Sequence, residues 1–165
     1  MVRLDVLNNA SEAQAQELLS KCCGSKTWVA AMLQARPFSS EEELFKKADD
    51  IWFGLESDDW LEAFSHHPRI GEQHLREKYA ATADWSAGEQ AGMDSADEEV
   101  IAKLAKGNAA YDDKFGFVFL VCATGKSAAE MLGLLEARLP NERNEELHNA
   151  ANEHAKITKI RLEKI

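Results

Sequence analysis

Three histidines fall within nine positions, His66, His67 and His74, and imidazoles this close in sequence raise two chemistries, metal ligation and proton transfer. A zinc site on a helix takes histidines at i and i+4 with a third ligand. His66 and His67 are adjacent, and Pro68 breaks any helix that could aim both at one ion. His66 and His74 therefore read as surface histidines, and no residue is assigned to a metal. His67 is set apart by its surroundings: proline fixes the backbone after it, Arg69 and Gly71 follow, and Glu72 is close enough in sequence to orient a ring. Histidines held in such turns act as general acids or bases, or stay as hydrogen-bonded structural residues.

Arg161 is the second residue with chemical potential. At about 100° per helical residue it lies about 40° from Ile157 and from Ile165, in one stripe with Ala150 and His154. A permanent positive charge on that stripe points into the protein, where a carboxylate of the chain or an anionic ligand must meet it. Asn108, between Leu104 and Tyr111 on another apolar face, is an inward amide that also needs a partner. Ser86-Ala87-Gly88-Glu89-Gln90 taken alone reads as a serine helix cap with its glutamate three residues on. Gly125-Lys126-Ser127 ends like a phosphate loop, but Leu120 stands where that loop requires glycine, so the resemblance to it fails.

The elements that must position these residues are helical. Ser11 begins a segment with Ala15, Leu18, Leu19 and Cys22 on one side, and Gly24 follows where a C-terminal cap belongs. A second helix runs from Ser25 or Lys26 and must end by Pro37. Ser40 with Glu43 matches a capping box, ahead of a stripe of Leu44, Phe45, Ala48, Ile51, Trp52 and Leu55. A short helix capped by Ser57 or Asp58 leads to the His66-His67-Pro68 turn. Residues 71–92 read as short helical pieces and loops, and a longer helix from Ser95 carries Val100, Ile101, Leu104, Asn108, Tyr111 and Phe115. The run 117–122, Phe-Val-Phe-Leu-Val-Cys, is β-prone, too short for a helix and without a pairing partner. It is expected to be buried and extended. Ser127 caps a helix ending near Arg138, Pro140 breaks it, and the last helix runs from about Asn141 to the terminus. The reading is an all-α, single-domain helical bundle over residues 1–165 with one short buried extended segment.

Composition narrows the function classes. The chain has 165 residues, 45% of them hydrophobic, and its 19 basic against 29 acidic residues give a net charge of −10. No stretch gathers enough basic residues to follow a nucleic-acid backbone or bind an anionic membrane. No apolar run reaches the ~20 residues of a membrane span, and residues 1–6 lack the apolar core of a secretory signal. Cys22, Cys23 and Cys122 form neither an even disulfide set nor a Cys-x-x-Cys pair, so they read as reduced thiols, Cys22 and Cys122 as small buried apolar residues. A soluble protein of the cytosol is the expectation.

Four blocks taken in order carry a resemblance. His67-Pro68-Arg69-Ile70-Gly71-Glu72, Ser86-x-x-Glu89-Gln90, Asn108-x-x-Tyr111-x-x-Lys114-Phe115-Gly116-Phe117 and Arg161-Leu162 resemble the 2-oxo-4-hydroxy-4-carboxy-5-ureidoimidazoline (OHCU) decarboxylases of purine catabolism. Arg36-Pro37-Phe38 and Asp59-Trp60-Leu61-Glu62-Ala63-Phe64 fit as well. Val118 departs from the proline that many members carry there. The resemblance implies an all-α, cofactor-free homodimeric enzyme that converts OHCU to (S)-allantoin and carbon dioxide in urate degradation. It implies His67 as catalytic acid/base, with Glu89 and Arg161 completing the polar site. It further implies that Pro68, Ser86 and Gln90 contact substrate, and that the backbone of Val121, Cys122, Ala123, Thr124 and Gly125 bonds the urea-like edge. Two rival readings are a helical binding module whose inward polar groups are structural, and a metal-dependent hydrolase built on His66, His67 and His74.

Overall fold

Four serines start helices in the way their sequence context demands. In the computed structural model, which describes residues 2–67, 69, 71, 73, 75 and 95–165, Ser11, Ser25, Ser40 and Ser127 each accept a hydrogen bond from the backbone N–H three residues on. Each bond satisfies one of the donors that a helix start leaves open. The described helices are α1 (Leu4–Asn9), α2 (Glu12–Cys22), α3 (Lys26–Ala35), α4 (Glu41–Phe53), α5 (Ser57–Ser65), α6 (Ser95–Phe115), α7 (Ala128–Arg138) and α8 (Arg143–Leu162). Among the described residues there is no strand, and the protein is all-α. None of these helices is long and apolar enough to cross a membrane.

Several local expectations need correction. The reciprocal capping box stands at Ser11 and Gln14, whereas Glu43 turns its carboxylate to the amide and hydroxyl of Ser39. The cap of α5 is Glu56, so Ser57 and Asp58 belong to its first turn. Helix α1 has no mark in the sequence pattern, because six residues show too little periodicity. Tertiary hydrogen bonds hold it: Arg36 donates to the carbonyls of Leu7 and Ala10, both at 2.9 Å, and Asn8 exchanges two bonds with the backbone of Phe38. Cys22 is buried as expected, but Cys122 is only half-buried.

The chain divides into two compact units, Met1–His67 with Leu147–Ile165, and Pro68–Glu146. In the first, Leu7, Leu19, Trp28, Met32, Leu44 and Phe64 form a closed core. Its buried indoles each donate a hydrogen bond: Trp28 to Ala48 O, Trp52 to Ala151 O and Trp60 to Trp52 O. Burying an indole without such a partner would forfeit part of the gain from its apolar area. In the second unit, Ile101, Leu104, Tyr111, Phe115, Met131 and Leu135 of α6 and α7 are buried. The run 117–122 is neither helix nor strand; Phe117 and Leu120 are buried and the rest of it is half-buried.

Candidate active site

His67 sits two residues past the end of α5, just after the His66 cap, where its amide donates to Phe64 O at 3.0 Å. Gly24 makes the turn possible. A Cβ at that position would run into the His66 ring, so the glycine expected as a helix cap serves instead to let the histidine turn approach the α2–α3 junction. The half-buried His67 ring meets His154 of α8 edge to face, with centroids 5.0 Å apart and planes at 88°. His154 is fully buried. It stacks on Trp52 at 4.6 Å and 18°, and its Nδ1 lies 3.2 Å from the hydroxyl of Thr158, one turn along.

Among the described residues, the charge acting on these rings is positive. Burial pushes the His67 imidazole down from its ordinary 6.5 to about 4, with the positive charge of Arg161 and then His66 adding to the effect. Burial lowers His154 further, to about 3, with His67 and Arg161 contributing in the same direction. Both imidazoles are therefore neutral at pH 7. Cys22 and Cys23 are raised by burial to about 11 and about 12, although Arg161 opposes the shift in both. They are protonated thiols rather than nucleophiles. Arg161 is half-buried, and among the described residues no ion pair includes it. A neutral base beside a guanidinium that no described carboxylate pairs can take a proton from a bound molecule while the fixed charge holds an anion.

In the second unit, 121–125 takes in the end of the 117–122 run and leads toward α7. It ends in a turn closed by Lys126 N to Ala123 O at 3.0 Å, with Gly125 at φ +76, a conformation other residues adopt at a penalty. Lys126 Nζ donates to Cys122 O at 2.7 Å, and Ser127 caps α7. The Gly125-Lys126-Ser127 sequence is thus a turn and a helix cap. A buried network fixes the preceding backbone. Glu146, fully buried, accepts from Tyr111 at 2.6 Å, Arg138 at 2.7 Å and Asn141 at 2.9 Å, and Arg138 also donates to Leu120 O at 2.7 Å. Burial and the bond to Glu146 raise the Tyr111 phenol above its ordinary value.

Of the expected site residues, His67 and Arg161 share one neighbourhood in the first unit. Val121, Cys122, Ala123, Thr124 and Gly125 form a turn-terminated stretch in the second. Pro68, Ser86, Glu89 and Gln90 lie outside the described residues, as does His74. Among the described residues no three metal-ligating side chains gather. Asn108 is half-buried on α6. Sequence reasoning passed over His154 and the Arg138–Glu146 pair. His154 had a signal, its place on the Arg161 stripe, but only the fold shows which rings surround it.

A model of the OHCU decarboxylase family matches residues 8–163. The chain belongs to that family. This OHCU decarboxylase family member is 39% identical to the uric acid degradation bifunctional protein TTL of Arabidopsis thaliana, over 87% of this chain and 45% of that protein. It thus spans less than half the length of that relative. It is 33% identical to the 2-oxo-4-hydroxy-4-carboxy-5-ureidoimidazoline decarboxylase of Amia calva, over 82% of this chain and 78% of that one. Its fold is similar to the crystal structure of an OHCU decarboxylase in the presence of (S)-allantoin, with a TM-score of 0.70, 34% identity, and coverage of 94% of this chain and 97% of that chain.

Proposed function

We propose that the protein decarboxylates OHCU to (S)-allantoin and carbon dioxide in urate degradation, the whole of residues 1–165 acting as one catalytic domain. The observation that carries this reading is a neutral, half-buried His67 under the charge of an Arg161 that no described carboxylate neutralises, in a chain of this family. When the C–C bond to the carboxylate breaks, its electron pair passes into the substrate's own adjacent imine, so the substrate serves as electron sink and no organic cofactor or metal is invoked. His67 takes the proton that must leave the 4-hydroxyl or ring, and one face of the planar intermediate is then protonated. Arg161 holds substrate negative charge in a protein of net charge −10. Glu89 completes the acid/base set, Pro68, Ser86 and Gln90 contact substrate, and the backbone of 121–125 bonds the urea-like edge. The resemblance also supports a homodimer, and the reading places it in the cytosol.

The test follows freshly generated OHCU by absorbance and its product by circular dichroism. Without enzyme, a planar intermediate is protonated on both faces and gives racemate. Wild-type protein is expected to give (S)-allantoin, and His67→Ala to lose about 10²–10⁴-fold in rate, its product drifting toward racemate. Arg161→Ala is expected chiefly to raise KM. If His67→Ala forms (S)-allantoin at the wild-type rate, the proton-transfer role belongs to another residue, with Glu89 next.

A further inference from the structure

A general acid/base needs its ring held in one direction, and the described surroundings of His67 hold it in an unusual way. Among the described residues no hydrogen bond reaches the His67 ring, and its ring contact is His154. His154 is itself clamped from two sides. Trp52 stacks on one face at 4.6 Å and is anchored by its own indole bond to Ala151 O at 2.9 Å, while Thr158 engages Nδ1 at 3.2 Å. The remaining nitrogen, Nε2, is sealed from solvent and has no hydrogen-bond partner among the described residues.

That orphaned atom is the informative one. A phenylalanine would stack on Trp52 and fill the same space without burying an unsatisfied nitrogen, and proteins retain such groups at a loss of stability where function uses them. The Thr158 bond sets which edge of the ring turns toward its neighbours, something a carbon ring could not register. We propose that His154 is a positioning residue: locked by Trp52 and Thr158, it holds the His67 imidazole edge to face and fixes the direction in which His67 exchanges protons. The inference rests on His67 being the group that moves protons, and it adds a residue that does not itself touch substrate.

The experiment uses the full chain with freshly generated OHCU and compares His154→Phe, Thr158→Val and, as a control, His67→Ala. Helical content and melting temperature are recorded so that rates refer to folded enzyme. His154→Phe is expected to keep its fold and KM while kcat falls about 10²-fold, the loss that misplacement of a reacting group brings. Thr158→Val is expected to lower kcat in the same direction by less. Imidazole nitrogen chemical shifts in Thr158→Val, which leaves both rings in place, give a readout that a merely structural role would leave alone: those of His67 should move. Wild-type kcat in folded His154→Phe, with His67→Ala inactive, overturns the positioning role alone. Wild-type turnover in His67→Ala overturns the proton-transfer reading and this inference with it. Should His154→Phe not fold, Thr158→Val decides: unchanged kcat and unmoved His67 shifts overturn the proposal.

Discussion

Half-burial of His67 beside the fixed charge of Arg161 sets the protonation state of the imidazole to which the proposed reaction gives the proton transfer. With its pKa lowered to about 4, the imidazole is neutral at working pH, so activity that rests on His67 as base should not fall at the usual histidine value near 6.5. Initial rates between pH 8 and pH 4 should stay level on the acid side until the pH nears 4; a half-maximal rate near 6.5 would show an ordinary, exposed histidine. The same shifts couple to stability. His67 and His154, lowered to about 4 and about 3, bind protons less readily folded than unfolded, where both titrate near 6.5. The unfolded state therefore takes up protons first as pH falls, and stability drops from about pH 6.5 downward through the folded values. Denaturant midpoints at pH 7 and pH 5 check this, and His154→Phe should flatten the difference.

Helices α6 and α7 and the turn between them depend on groups that local sequence rules do not flag. Glu146 is a carboxylate with no exposed surface, held by Tyr111, Arg138 and Asn141, and Arg138 extends the network to Leu120 O. Removing one member of a buried ion pair leaves the other charge uncompensated. Arg138→Met should therefore destabilise the protein by about 3–5 kcal/mol in urea denaturation. Because Arg138 also fixes the carbonyl just before Val121, KM for OHCU should rise as well. At the other end of the stretch, Gly125→Ala places a Cβ at φ +76 and should destabilise by roughly 1–2 kcal/mol. An unchanged unfolding midpoint would mean that the turn relaxes without strain.

For the molecule as a whole, turnover should survive exhaustive chelation and dialysis, since the proposed chemistry draws its electron sink from substrate. Loss of rate restored by a divalent ion would overturn that account. Light scattering should report twice the 18.4 kDa of one chain if the homodimer forms. The sequence by itself determined the all-α class and most helix starts, because capping serines and the three-four spacing of apolar residues act within a single turn of chain. It also singled out His67 and Arg161, one through a proline-fixed turn and the other through a charge on an apolar stripe. Helix α1 was not legible, since its stability comes from Arg36 and Asn8 reaching across 26 to 30 residues of chain. Nor could spacing show that Gly24 clears room for His66 or that Cys122 is half-exposed. The tertiary structure alone decided that His154, an ordinary member of a helical stripe, touches both Trp52 and His67 with a nitrogen that no described group meets. Helical periodicity says which side of a helix turns inward, whereas the identity of the rings waiting there depends on contacts made 87 to 102 positions away in the chain.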